Sequence, residues 1–303
     1  RPAGPAVTGH LVPAPGPAGP SVEVTPEGGS VEVTTISLAE VLELSKHAEA
    51  GPRMMKMDIE GAEFEVLKQL LSKRLLCKGI IDLLTIEWHD NFFEQDTPGA
   101  HCDECGDVRT KVLNERPTKT CSPTAFEDFD DESYLTDGQP WPDVSEKAKA
   151  MLSTSSGSTA ASADMFKGCS AIFYDVGANI GTHVRKLFEP EKYKKAGYLS
   201  RFDKVFGDRA QRGKPSTQTG LCAFLFEANP RHAHRLAELE ATYNAAGWRV
   251  KVFAPAIVST STGEVKELWL NGQADDEHMN WAASTIPYTG HSILAPRPAG
   301  PAV

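Results

Sequence analysis

The sequence predicts an α/β fold built on a doubly wound, mostly parallel sheet. Short apolar runs of the kind that strands buried on both faces need lie at 54–59, 79–87, 171–176 and 221–226. Amphipathic segments at 61–75 and 231–245 separate or follow them, and a glycine turn, Gly177-Ala178-Asn179-Ile180-Gly181, comes directly after one run. Buried strands alternating with helices are the pattern of a parallel sheet covered on both faces.

The elements follow in order. Residues 1–30 are rich in Pro, Ala and Gly, which offer little side chain to bury, so they read as linker. The heptad Arg1-Pro2-Ala3-Gly4-Pro5-Ala6-Val7 recurs as Arg297-Pro298-Ala299-Gly300-Pro301-Ala302-Val303 within a second linker segment, 291–303. Overlaying the two closes the sequence into a circle, as expected of a circular permutation or a piece of a tandem array. Residues 31–36 alternate and are β-branched, a strand, and Ser37-Leu38-Ala39-Glu40 reads as a capping box opening a helix to about residue 48. After strand 54–59, Phe64, Leu67, Leu71 and Leu75 recur at helical steps, with Glu63 and Glu65 expected on the solvated face; the run 79–87 then ends in acid. Residues 31–100 are expected to form one half of the domain.

Residues 101–164 are polar and weakly periodic, and are expected as an insertion or joining loop. Order resumes in the second half, 165–290, with strands at 171–176 and 221–226, a helix presenting His232, Leu236, Leu239 and Tyr243 on one stripe, and strands at 249–257 and 264–270.

The 41 acidic residues outnumber 31 basic ones, a net charge of −10, which argues against wholesale adhesion to nucleic acid or an anionic membrane. No apolar run approaches the roughly 18 residues needed to cross a bilayer, and no signal-peptide pattern is present. Cys77, Cys169 and Cys222 sit beside apolar runs where a reduced thiol packs as a small hydrophobe, so a reducing interior and a cytoplasmic location are expected. His101, Cys102, Cys105 and Cys121 offer zinc ligands, yet a single C-x-x-C without a second pair is a modest signal, and no metal is expected. The stretch 185–214 carries ten Lys/Arg against four Asp/Glu, and reads as a solvated loop or a face for an anionic substrate.

Ligands of doubly wound sheets gather at the carboxyl ends of the strands, so residues following Val176, Phe226, Ile59 and Ile86 are expected to converge. The glycine turn lets backbone approach a ligand, but its spacing differs from the dinucleotide G-x-G-x-x-G and it lacks a P-loop lysine, which disfavours NAD and ATP. Glu227, after the 221–226 strand, can accept both hydroxyl protons of a ribose.

These two features resemble the glycine loop and acidic second strand of class I S-adenosylmethionine-dependent methyltransferases. More specifically, Asp175-Val176-Gly177-Ala178-Asn179-Ile180-Gly181-Thr182-His183, Phe226-Glu227-Ala228-Asn229-Pro230 and Lys56-Met57-Asp58-Ile59-Glu60-Gly61-Ala62-Glu63-Phe64-Glu65-Val66-Leu67 resemble three signatures of the FkbM family. Thr35-Ile36-Ser37-Leu38, Ala256-Ile257-Val258-Ser259 with Gly263, and Ile86-Glu87-Trp88-His89 fit the same family, so the resemblance covers about 31–93 and 166–287. It implies a Rossmann-like class I methyltransferase fold, with S-adenosylmethionine bound by Asp175, Gly177, Ala178, Asn179, Gly181, Thr182, Glu227, Asn229 and Asp58. It also implies O-methylation of a hydroxyl on a small molecule or glycan. Asp58, Glu60, Glu87 and His89 are the catalytic candidates; His89 is the natural general base by its ordinary pKa, and Asp58 or Glu60 would orient the acceptor or contact the cofactor's amino group.

In that family the glycine loop and acidic strand precede the D-x-E-G strand. Here residues 56–67 come before 175–181, so the domain is expected to be circularly permuted. Permuted amino-methyltransferases of nucleic acid bases carry Asn/Asp-Pro-Pro-aromatic where this chain has Asp58-Ile59-Glu60-Gly61, so no nucleic acid partner is expected. The alternative is a non-catalytic methyltransferase-like binding domain of a larger or tandem-repeat protein; retention of Gly177, Gly181 and Glu227 favours the enzyme.

Overall fold

The computed structural model describes residues 29–89, 105–114, 121–129, 137–153, 161–270 and 283–285. Strand β1 (Gly29–Ser37) runs into helix α1 (Leu38–Ser45), where the Ser37 hydroxyl accepts the Glu40 N–H at 3.4 Å. The Glu40 carboxylate accepts the Thr262 hydroxyl at 2.6 Å, tying the start of α1 to a distant turn. Strand β2 (Arg53–Met57), helix α2 (Glu63–Ser72) and strand β3 (Leu83–Ile86) then appear in the expected order. Helix α2 stops short of residue 75 because Arg74 takes a left-handed φ of 56°, while Leu75 still reaches the core.

The stretch expected as a joining loop supplies α3 (Cys105–Asn114), β4 (Ala125–Asp128) and α4 (Glu146–Ser153). Strand β4 extends the main sheet, with Leu83 opposite Ala125 and Ile86 opposite Asp128. Its Ala-Phe-Glu-Asp sequence has no buried alternation because it lies at the sheet edge, where charge is tolerated.

The second half runs β5 (Ala171–Val176), α5 (Thr182–Phe188), α6 (Leu199–Phe206), α7 (Arg209–Arg212), α8 (Ser216–Thr219), β6 (Leu221–Phe226), α9 (Pro230–Ala245) and β7 (Arg249–Phe253). Strands β8 (Ile257–Ser259), β9 (Val265–Leu270) and β10 (Ala283–Ser284) complete it. The run expected as one strand from 249 to 257 divides at Pro255, which has no N–H to donate to a ladder.

The main sheet has the order β4-β3-β2-β5-β6-β7, and every neighbouring pair is parallel. The chain winds outward from β2 through β3 to β4, returns to the centre at β5, and winds outward the other way. Strands β2 and β5 are therefore the switch point, with Met57 opposite Val176, and their carboxyl ends open a crevice between diverging connections. Along β5, Ile172, Tyr174 and Val176 join one core with Met57, Phe64 and Leu67, while Phe173 joins another with Val184, Leu225 and Leu236. That alternation is the period-two consequence of the pleat. A smaller sheet, β10-β9-β1-β8, pairs β1 in parallel with β8 and antiparallel with β9, joining elements from opposite ends of the chain.

Two expectations are corrected here. The thiols of Cys77, Cys169 and Cys222 are not reduced: Cys77 pairs with Cys121 and Cys169 with Cys222. Cys121 is thereby removed from the zinc set, whose His101 and Cys102 lie outside the described residues; the cytoplasmic expectation loses its cysteine argument. The basic stretch 185–214 is not a free loop but carries α5, α6 and α7. Arg185 is buried against Asp137, Arg201 and Lys204 pair with Glu127, and Arg209 and Arg212 pair with Asp203. Among the described residues, no helix is long and apolar enough to cross a membrane.

Candidate active site

The crevice at the switch point holds a cavity open to solvent, lined by Asp58 and Glu60 after β2, Gly177 and Asn179 after β5, and Glu227 after β6. Phe226, Ile257 and Val258 supply an apolar wall. The segments after β2, β5 and β6 thus converge on this cavity as expected, while Glu87 and His89, after β3, lie beside Glu60 and are not among its lining residues.

The glycine loop is shaped by its backbone. Gly177 and Ala178 donate to the Phe226 carbonyl at 3.0 and 2.9 Å, Gly177 takes φ 82° and Gly181 φ 79°. Asn179 also sits at positive φ, 51°, with its own side chain accepting the next N–H, from Ile180, at 2.8 Å. Glu227 holds this loop: one carboxylate oxygen accepts the Asn179 N–H at 2.6 Å and the other the Asn229 N–H at 2.7 Å. Asn229, expected to contact cofactor, is buried and caps α9 by accepting the Arg231 N–H at 3.0 Å. Thr182 is buried in the first turn of α5.

Asp175 is fully buried at the end of β5, and among the described residues neither carboxylate oxygen has a hydrogen-bond partner. Burial pushes its carboxyl up to about 7, with Lys56 opposing. Lys56, on the adjacent strand, donates to Asp58 Oδ2 at 2.9 Å and to the Gly177 carbonyl at 2.7 Å, so it ties the two central loops together. Burial disfavours its ammonium, but Asp58, Asp175 and Glu87 more than offset this and leave its pKa raised. Burial likewise opposes the Asp58 carboxylate, yet Lys56 and His89 outweigh it and hold Asp58 below the ordinary range.

Beside this pair lie the remaining candidates. His89 Nε2 stands 3.6 Å from Glu60 Oε2 and 3.7 Å from both Asp58 Oδ1 and Glu87 Oε1. Burial pushes the imidazolium down, but Glu60, Glu63 and Asp58 together lift it well above its usual value. Burial drives the Glu60 carboxyl up to about 8, with His89 opposing. Glu60 stands at φ 51°, and its carbonyl accepts the Ser284 hydroxyl at 2.9 Å, so the small sheet braces the turn that presents it.

Sequence reasoning missed two residues. Glu63, expected on a solvated face, is fully buried: Oε1 accepts the His89 N–H at 2.8 Å and lies 3.2 Å from Nδ1, while Oε2 accepts the Gly61 N–H at 2.8 Å. Its companion Glu65 is exposed as expected. Lys56 was legible as the one charge inside the Met54–Met57 stretch of an otherwise buried strand, a position where a cation needs partners.

Residues 7–117 match the methyltransferase FkbM domain family. The match includes the Asp58-Ile59-Glu60-Gly61 turn and β3, and lies wholly ahead of the glycine loop in the chain. No curated protein and no solved structure gives a significant match. The Rossmann-like parallel sheet agrees with this match, and over residues 7–117 the chain is similar to the methyltransferase FkbM domain.

Proposed function

We propose that the domain is an S-adenosylmethionine-dependent O-methyltransferase acting on a hydroxyl of a small molecule or glycan. One observation carries the reading: a glycine loop anchored by Glu227 abuts a carboxylate-rich turn across the switch point, inside a single cavity. The residues fit the cofactor. Carboxylates of Asp58, Glu60 and Glu227 on the cavity wall suit a ligand bearing a sulfonium and an ammonium, and the wall of Phe226, Ile257 and Val258 suits a base. Each Glu227 oxygen already accepts one N–H and retains a lone pair for a ribose hydroxyl.

The cofactor, when bound, supplies a methyl carbon that passes to the acceptor oxygen while the electrons of the broken C–S bond stay on sulfur. The protein's part is positioning and proton uptake. The base role expected of His89 passes in this reading to Glu60: Glu63 holds the His89 ring behind the turn, whereas Glu60 lines the cavity. Asp58, fixed by Lys56, orients the acceptor.

The permuted order belongs to the same reading. Taking 166–287 before 31–93 restores the family order, and in space β5, β6 and β7 wind to one side and β2 and β3 to the other without a change in the sheet.

The test is calorimetric titration of the full chain with S-adenosylhomocysteine, beside Glu227→Ala and an NADH control. Micromolar binding lost in the variant supports the reading. A folded chain that ignores S-adenosylhomocysteine, or binds NADH instead, overturns it.

A further inference from the structure

At the carboxyl ends of β2 and β3, three carboxylate oxygens surround one ring nitrogen at nearly equal range. His89 Nε2 lies 3.7 Å from Asp58 Oδ1, 3.6 Å from Glu60 Oε2 and 3.7 Å from Glu87 Oε1. These separations are long for hydrogen bonds. Two donors bound at about 2.0–2.2 Å to one tetrahedral cation would stand roughly 3.4 Å apart. One donor atom each from Asp58, Glu87 and His89 lies within 4.8 Å of the other two.

The surroundings point the same way. Buried Glu63 takes both the His89 backbone N–H and the Nδ1 side of the ring, which turns Nε2 toward the carboxylates. A carboxylate on the far ring nitrogen is the support that metal-binding histidines use to fix tautomer and orientation. Asp58 divides its oxygens, Oδ2 to Lys56 and Oδ1 toward His89, so the lysine does not occupy the oxygen facing the cluster. Asp58, Glu60, Glu63 and Glu87 bring four carboxyl groups, Glu63 buried and the others half-buried, together at the ends of β2 and β3.

We propose that Asp58, Glu87 and His89 bind a divalent transition-metal ion. Mixed imidazole and carboxylate donors suit Mn²⁺, Co²⁺ or Zn²⁺ better than Mg²⁺ or Ca²⁺. Three protein donors leave coordination positions open, and there the ion holds the acceptor oxygen as a Lewis acid. The ion's role rests on the methyl-transfer reading; its binding does not. Glu63 is a positioning residue that acts through the imidazole.

The test uses the full chain, stripped with a chelator and titrated with Co²⁺ while its visible ligand-field absorption is followed. One Co²⁺ per chain is expected. Affinity should fall roughly 100-fold or more in His89→Gln and Glu87→Gln and roughly tenfold in Glu63→Gln, and stay unchanged in the exposed Glu65→Gln. Circular dichroism checks the fold of each variant. Should the variants fail to fold, Mn²⁺ bound to the unaltered protein is examined by electron spin echo, where coupling to an imidazole nitrogen is expected. No Co²⁺ binding by the folded chain, unchanged binding in folded His89→Gln and Glu87→Gln, or bound Mn²⁺ without nitrogen coupling overturns the site. S-adenosylhomocysteine binding, measured separately, distinguishes the two readings: cobalt without cofactor analogue sinks methyl transfer alone, and the reverse sinks the metal alone.

Discussion

The backbone carbonyl of Asp58 fills the space that a side chain on Gly177 would need: a Cβ there would lie 1.7 Å from that oxygen. The loop after β5 and the turn after β2 are therefore in direct backbone contact, and Gly177 also needs its positive φ of 82°. Gly177→Ala should cost on the order of 3 kcal/mol or more, since neither backbone can yield cheaply. Urea melts with parallel S-adenosylhomocysteine titration measure it; an alanine variant of unaltered midpoint would contradict this packing.

Asp175 sets a pH dependence of stability. Its carboxyl moves from an ordinary 3.8 up to about 7 in the folded protein, chiefly through burial. Below about 3.8 both folded and unfolded forms are protonated and there is no penalty. Between that value and about 7 the folded state holds a proton that the unfolded state has released, so stability falls as pH rises, and the loss is complete above about 7. The penalty is on the order of 4 kcal/mol. Asp175→Asn should flatten the decline and melt above the unaltered chain at about pH 8.5, as thermal denaturation across pH will show.

Glu63 should matter more for stability than its place on a helix suggests. Glu63→Ala removes the acceptor for the His89 and Gly61 backbone N–H groups and leaves both buried, at a cost of about 2–4 kcal/mol. Glu65→Ala, two residues on and exposed, should fall within about 0.5 kcal/mol of the unaltered chain. Denaturant melts of the pair provide the contrast, and equal effects would contradict it.

The Cys169–Cys222 disulfide links the region just before β5 to β6 across a separation of 53 residues. Closing a loop of that size restricts the unfolded chain, so Cys169→Ala with Cys222→Ala should lose about 2–4 kcal/mol. The unaltered protein should melt lower in the presence of reductant, while the double variant should lose only the contribution of the Cys77–Cys121 bridge. Thiol titration under denaturing conditions checks the pairing directly.

What the sequence disclosed follows from where each residue sits. β5 and β6 were read at their true bounds because strands covered on both faces must be apolar throughout. The glycine loop and Glu227 were read because a turn at positive φ and an acid at a strand end leave local signatures. β4 stayed hidden because an edge strand has no buried face to impose a pattern. Glu63 stayed hidden because its burial comes from His89, 26 positions away, and not from its own helix. The cysteine pairs were misread because their partners meet only in space, across 44 and 53 residues.

The small sheet has a consequence for the life of the chain on the ribosome. β1 leaves the tunnel first among the described strands, yet its partners are β8 and β9, with Val33 opposite Lys266 and Thr35 opposite Ile257. Over some 220 residues of synthesis, Val31, Val33 and Ile36 have no native strand to lie against. Late closure of so long a loop slows folding and leaves a sticky nascent segment. A protein arranged in this way depends, until its last strands emerge, on whatever shields its first one.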